Sequence, residues 1–338
     1  MTQPSKSEMP WGPWHTRLHK TLIKKKNLLP AGSGLILSVS GGQDSMALLK
    51  LIIDLKRLYH WEIHVWHGDH GWHKDSSKIA SELGEWCRSK KINFYSERLS
   101  STKLQTEEAA RNWRYQRIVD YLQSLKQKYQ SISFQCVLTG HTSTDRTETL
   151  LLNLARGAYI GGLGSLRYSR TLKGSIKLIR PLLPFSRDDT AEICKEMNLP
   201  IWIDPSNSNM NFSRNRIRKE VLPVLEKLHP GSTIRIASLA ERLSNLQDDR
   251  EALTSLAIEA ISKLNGLSRK KLIELPTQTR ETIFAKWLDI NGVPHVKASQ
   301  LAEISQSINK GMPPGSRDLA QGWKIVWDQE CVQVFCTQ

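Results

Sequence analysis

Through the first two thirds of the chain, short runs of aliphatic and β-branched residues alternate with longer stretches whose apolar positions recur at helical spacing. Strands are predicted at residues 35–39, 61–66, 92–95, 136–139, 178–182 and 201–203, and helices at 45–59, 76–89, 106–126, 145–155 and 187–197. The alternation leaves few architectures open. Strands separated by a helix return to the same edge and pair in parallel, and the crossover helices cover both faces of the sheet. The fold class expected is α/β, a Rossmann-like parallel sheet with helices on both faces, and ligands of such sheets bind beyond the carboxyl ends of the strands. From Asn215 the strand pattern gives way to helices, residues 239–262 read as one long amphipathic helix, and GWKIVWDQECVQVF near the end reads as a hairpin. A smaller, mainly helical domain is expected at 230–338, after a main domain at 1–229 with its core at about 33–225.

Composition narrows the class. No apolar run reaches the ~18 residues of a membrane span. The opening MTQPSKSEMPWGPW has no apolar core or small-residue cleavage site, so neither secretion nor a transit signal is read. Cys87, Cys136, Cys194, Cys331 and Cys336 are scattered and odd in number, which argues against a disulfide framework and for a reducing compartment, the cytoplasm or an organelle stroma. A formal net charge of +15 attracts polyanions. Residues 156–180 hold six Lys or Arg and no Asp or Glu, and residues 9–43 hold no acid but include Lys24-Lys25-Lys26. Solvated loops would explain either run alone; together they favour a phosphate-rich partner.

The most informative turn is SGGQDS, residues 40–45, between the first strand and the first helix of the alternation. A glycine pair there permits positive φ and close approach of backbone to ligand, and the helix start that follows offers N–H groups and partial positive charge. The turn suits phosphate. It lacks the lysine of GxxxxGK[ST] and the spacing of GxGxxG. Ser40 and Ser45 are placed to donate hydroxyls to phosphate and Asp44 to hold Mg²⁺ or a substrate amine; a plain capped helix start is the bland alternative. SGGxDS after a first strand resembles the signature of the PP-loop ATP pyrophosphatases, which cleave ATP between the α and β phosphates and adenylate a substrate oxygen. That resemblance implies an ATP loop at Ser40, Gly41, Gly42, Gln43, Asp44 and Ser45.

Two further stretches carry chemistry. TEEAARNWRY puts Glu107, Arg111 and Arg114 on one helix face. LTGHTSTDRTETLLLNLARG puts His141, Asp145 and Glu148 at i, i+4 and i+7, on one face near the end of a strand. The second set suits magnesium and amine binding, with His141 able to donate to a phosphate or oxyanion. A metal hydrolase would also use such residues, but HExxH and a second ligand cluster are missing. With IRPLLPFSRDD and DPSNSNMNFSRNRIRKEVLP, these stretches resemble the tRNA(Ile)-lysidine synthetases over roughly residues 33–225.

That resemblance implies an ATP-dependent ligase. ATP adenylates the C2 carbonyl of the wobble cytidine (position 34) in the CAU anticodon of tRNA(Ile), and the lysine ε-amine then displaces AMP. Lysidine, AMP and pyrophosphate are the products, and the tRNA passes from AUG to AUA reading and from Met to Ile identity. It implies Asp44, Arg111, His141, Asp145 and Glu148 as catalytic or lysine-binding residues, with ATP and Mg²⁺ as cofactors. Asp69, His70, Arg187, Arg214 and Arg218 are expected to meet lysine or tRNA, with Asp204 and Asn215 in the same region. One departure stands out: in HGDHGWHKDSS, Trp72-His73 replaces the family's Leu-Arg, so no phosphate role is carried to that position. Residues 230–338 are expected to grip tRNA, with Trp287, Trp323 and Trp327 in the core, and the protein to be a monomer or homodimer. Rival readings are a PP-loop tRNA thiolase, disfavoured because CxxC is missing, a small-molecule PP-loop ligase such as an NAD or GMP synthetase, and a non-catalytic nucleic-acid-binding module.

Overall fold

The run GLILS forms the central strand β1 (Gly34–Ser38), and its two-residue period decides the layers on either side. Leu35 and Leu37 enter one apolar cluster with Leu48, Ile52 and Leu83, while Ile36 enters a second with Ile118, Leu122 and Phe134. A strand buried on both faces reads as a continuous apolar run, which is why polar alternation is missing here. The computed structural model describes residues 11–71, 75–99, 107–164, 166–202, 210–264, 266–294 and 296–336. The chain divides into two compact units, Met1–Ser244 and Asn245–Gln338, with the division inside the long helix.

The first unit runs α1 (Pro13–Lys24), β1, α2 (Gln43–Tyr59), β2 (Glu62–Asp69), α3 (Ser76–Ser89), β3 (Asn93–Arg98), α4 (Glu107–Lys128), β4 (Phe134–Thr139) and α5 (Ser143–Ala155). After the short α6 (Ile160–Leu163) come β5 (Ser169–Lys173), β6 (Ile176–Ile179), α7 (Arg187–Glu196), α8 (Ser213–Arg216), a π-helical turn (Ile217–Val221) and α9 (Leu222–Leu228). Then α10 (Ser232–Ile261) begins in this unit. The sheet order is β3-β2-β1-β4-β6-β5. From β1 the chain winds outward through β2 and β3, then returns to the other side of β1 at β4. The β1/β4 crevice is therefore the switch point at which sheets of this kind bind ligands.

Three local features depart from the sequence reading. The sheet is parallel except for β5, which runs antiparallel to β6 as an edge hairpin. Ile201 and Trp202 form no strand, and Ile203 lies outside the described residues. An additional helix, α1, precedes β1; Leu18 and Leu22 join the β1 core, and buried His15 bonds Asp54 of α2 at 2.8 Å.

In the second unit, β7 (Ser262–Lys263), β8 (Gly266–Ser268), α11 (Arg269–Ile273), α12 (Thr277–Ile290), α13 (Ala298–Ser307), β9 (Gly315–Asp318), β10 (Trp323–Trp327) and β11 (Cys331–Cys336) follow. The expected hairpin is β10–β11, extended into an antiparallel sheet ordered β7-β8-β11-β10-β9. Trp287 and Trp327 are buried with Phe284, Ile304 and Ile325, and Trp323 packs against them, so all three serve the core. Buried Arg269 donates to the carbonyls of Ile308, Asn309, Met312 and Asp328, satisfying loop acceptors that would otherwise be orphaned.

Candidate active site

The loop after β1 is shaped by two glycines. Gly41 takes φ +88°, and a Cβ there would lie 3.2 Å from the Trp202 ring, so only glycine lets the chain turn against that indole. The Gly41 carbonyl accepts from the Trp202 backbone N–H at 3.0 Å. Ser45 Oγ donates to the Gly42 carbonyl at 2.8 Å, and the Ser40 and Ser45 hydroxyls are 3.3 Å apart. Across the crevice, a Cβ on Gly140 would come within 2.8 Å of the Asp44 backbone, so the loops after β1 and β4 touch at van der Waals distance. Gln43 turns away from the crevice: its side-chain N–H groups go to the Arg187 carbonyl at 2.7 Å and Thr190 Oγ1 at 3.0 Å. What Gln43 offers a ligand is its backbone.

A cavity of about 690 Å³ opens at this carboxyl edge. That is ample for a nucleotide. Ser40, Asp44, Ser45, Asp69, His70, Arg111, His141, Asp145, Arg214 and Arg218 line it, so most of the site residues expected from the sequence converge. Gly41, Gly42, Gln43, Glu148 and Arg187 are not among the residues that line it. The lining carries six arginines, Arg111, Arg114, Arg170, Arg180, Arg214 and Arg218, against three aspartates, so its field favours anions.

Asp44 is held by Arg187 Nη1 at 2.9 Å and by a short hydrogen bond from Thr190 Oγ1. Burial nonetheless raises its pKa, with Asp145 adding to the rise and Arg187 opposing it. Oδ1 also accepts from Gln43 Nε2 at 3.5 Å, while Oδ2 keeps a second lone pair with which the carboxylate can still meet a hard cation. Arg187 is thereby committed to Asp44.

Asp145 plays two parts. Its Oδ2 caps α5, accepting from Thr142 N–H at 2.7 Å and Thr142 Oγ1 at 3.0 Å, while Oδ1 faces Arg218 Nη2 at 3.4 Å. Burial works to raise its carboxyl, but the His141 ring, the Thr142 donors and Arg218 outweigh it and hold the pKa below the ordinary value. His141 precedes α5 and does not share its face; it sits in the loop after β4, with Nδ1 2.8 Å from Thr139 Oγ1. Burial drives its pKa far down, against the pull of Asp145 and aided by Arg180, Arg214 and Arg114, so the ring is neutral at pH 7. When Thr139 Oγ1 donates to Nδ1, the other ring nitrogen carries the proton; in the other tautomer Nδ1 donates to Thr139.

Glu148 is wholly buried and receives a two-pronged bond from Arg218, Nε at 2.6 Å and Nη2 at 3.0 Å. Burial raises its pKa and Arg218 opposes the rise. Arg218 stands on the π-helical turn just ahead of Pro223, whose missing N–H removes one backbone donor from that region. Arg214 Nη2 reaches Thr149 Oγ1 at 3.3 Å, and Arg114 meets His70 Nε2 at 3.2 Å. Asp69 organises the turn after β2: Gly71 N–H and the Ser77 hydroxyl bond it at 2.8 and 3.2 Å. Burial, which raises its pKa, is outweighed by these donors and by Arg98, so it stays ionised. Asp204, Trp72, His73 and the Glu107 side chain lie outside the described residues.

Sequence reasoning passed over Arg170, Arg180, Tyr115, Trp202 and Phe212 as site residues, all of which line the cavity. Arg170 and Arg180 lie in the acid-free run 156–180, and Arg180, Tyr115 and Phe212 in the stretches that carry the family resemblance, but none is read there as a site residue.

A PP-loop domain family matches residues 15–225. A tRNA(Ile)-lysidine synthase of Prochlorococcus marinus is 54% identical, over 99% of this chain and 100% of that one. The chloroplastic tRNA(Ile)-lysidine synthase of Pyropia yezoensis is 34% identical, over 87% of this chain and 89% of that one. In fold alone the chain is similar to a U34-tRNA thiolase from Methanococcus maripaludis, solved with its 4Fe-4S cluster, at TM-score 0.54 and 17% identity, covering 69% of this chain and 78% of that one. With a PP-loop over the first unit and this identity along nearly its whole length, the chain belongs to the tRNA(Ile)-lysidine synthase family.

Proposed function

We infer that this protein joins lysine to C2 of the wobble cytidine in the CAU anticodon of tRNA(Ile), using ATP and releasing AMP and pyrophosphate. The observation that carries the reading is the convergence, in one cavity at the β1/β4 crevice, of the PP-loop, Asp44, His141, Asp145 and a ring of arginines. The backbone of Gly41 to Asp44 and the start of α2 cradle the pyrophosphate of ATP. Asp44, with Asp145 close enough to perturb it, would hold Mg²⁺. When bound, the ion offsets charge on the triphosphate.

In the first step the cytidine C2 oxygen attacks the α-phosphorus and the bond to pyrophosphate breaks. In the second, the lysine ε-amine attacks C2, loses a proton, and the C2–O bond to AMP breaks. In the tautomer that leaves Nε2 protonated, the neutral His141 ring donates its N–H to an oxygen that gains charge, and Arg214 adds cationic support. Because both Glu148 oxygens are taken by Arg218, Glu148 acts as a positioning residue that aims this guanidinium at Asp145. Free lysine is the second substrate, its amine drawn to the Asp44 and Asp145 end. The second unit serves as a tRNA grip. Among the described residues no helix is long and apolar enough to cross a membrane. The cytoplasm is the compartment we assign to this work, because its reducing poise suits the free cysteines.

The test is incorporation of labelled lysine into a tRNA(Ile) transcript bearing CAU, with ATP and Mg²⁺, beside methionine tRNAs with the same anticodon. Labelling of the isoleucine transcript alone is expected. AMP release without labelling would replace lysine by another nucleophile, and no AMP release at all would sink the ligase reading.

A further inference from the structure

The phosphate loop and the carboxylates occupy the β1 side of the crevice, yet the densest positive charge lies elsewhere. Arg180 follows β6, which pairs with β4 on the side away from β1. Two strand spacings, roughly 10 Å, therefore separate its strand from the one that carries the PP-loop. Although only 5% exposed, Arg180 lines the cavity. Its Nη1 donates to the Arg167 carbonyl at 2.7 Å, its Nε has no hydrogen-bond partner, and no carboxylate among the described residues pairs with it. A buried guanidinium with an unmade N–H bond is costly unless something else completes it.

Its neighbours deepen the problem. Burial, together with the charges of Arg170, Arg146 and Arg111, pushes Arg180 down to about 10, so it stays charged at neutral pH in repulsive company. Arg146 is already spent on Glu241 at 3.1 Å. Arg170 lies over the Tyr115 ring at 5.1 Å, and both of these residues line the cavity, as does Arg111. His141 stands between the two ends and feels both Asp145 and Arg180. Asp44 and Asp145 at one end are each met by an arginine, Arg187 and Arg218, whereas the charged neighbours of Arg180 at the other are Arg170, Arg146 and Arg111, opposed by Tyr115.

We propose that Arg180, with Arg170 and Arg111, forms a second anion site that takes a backbone phosphodiester of the RNA beside the reacting nucleotide, separate from the phosphates of ATP. The proposal rests on the reading that the substrate is a tRNA. Planar guanidinium groups suit paired phosphate oxygens, and a phosphate here would supply the acceptor that Arg180 Nε lacks. Arg170 and Arg180 also belong to the stretch 156–180, which holds six basic residues and no acid. A phosphodiester fixed at this end would set the register of the chain while leaving the base free to meet the adenylating end.

The test is binding of the full-length protein to a tRNA(Ile) transcript across a range of salt, beside ATP affinity, for Arg170→Gln, Arg180→Gln and Arg180→Lys. Arg170 is exposed, so its variant isolates the charge without threatening the fold; a thermal melt checks the other two. Expected are about 5- to 10-fold weaker tRNA binding for each glutamine variant, a salt slope shallower by about 1, and ATP affinity within about twofold of the parent. Arg180→Lys should keep the slope and lose affinity, because the charge stays and the fork goes. An unchanged slope and tRNA affinity in a folded Arg170→Gln would overturn the site, as would a loss that falls on ATP. Failure of lysine incorporation by the parent protein would sink the proposed reaction and leave this binding result standing on its own.

Discussion

At the scale of single residues, Asp44 shows how a motif and its surroundings divide the work. SGGQDS was legible because a glycine pair between a strand and a helix has few other uses, but the sequence could not show that Arg187 and Thr190 would grip the carboxylate from behind. Asp44→Asn keeps the shape and removes the charge. AMP release should fall by on the order of 100-fold or more, with tRNA affinity unchanged, because site chemistry is lost and no basic footprint. Single-turnover AMP release and a tRNA titration check this, and normal turnover would refute the role of Asp44. Arg180 was illegible for the opposite reason. It is one arginine among many, and only tertiary burial beside other cations distinguishes it. Gln43 marks a different limit, since a side chain in a loop whose Ser40, Asp44 and Ser45 border the cavity can still face the protein.

Among the elements, the strands and helices that were legible are those with a strong period, such as GLILS or the helix Ser76–Ser89. The edge strand Ser169–Lys173 was not, because SRTLK lacks buried alternation and forms by pairing with β6. A junction that no periodicity marks is the one between α9 and α10. Glu226 accepts from Gly231 N–H and Thr233 N–H, both at 2.7 Å, and so caps the first turn of α10 from the preceding helix. The Thr233 and Gly231 donors lower its pKa from 4.5 to about 2. A carboxyl whose folded pKa is depressed contributes stability that is fully present above the unfolded value and lost as pH falls through the folded one. Glu226→Gln should therefore melt earlier than the parent at pH 7, and the gap should close between about pH 4.5 and about pH 2. Paired melting curves over that window decide it; a gap independent of pH would mean the cap acts by shape alone.

For the molecule as a whole, the charge of +15 was the broadest sequence signal, and the structure sorts it into working and structural parts. Within Lys24-Lys25-Lys26, the middle residue pairs with Glu241 at 3.0 Å and lies over the Tyr168 ring, while Lys24 and Lys26 are exposed. Replacing Lys24 and Lys26 by glutamine should flatten the salt dependence of tRNA binding by up to about 2 in slope, without changing ATP affinity. Lys25→Gln should instead cost stability and leave the slope alone. Salt titrations of the two variants separate these outcomes, and an unchanged slope in the double variant would mark both lysines as solvated surface. The clasp between Gly41 and Trp202 has one more consequence. An indole pressed against the backbone of the loop after β1, with its N–H on Glu82 at 2.6 Å, is a fluorophore already installed at the point where we propose that ATP arrives. The difference in emission between the parent and Trp202→Phe would let the arrival of the nucleotide be watched in real time, by light and without a label.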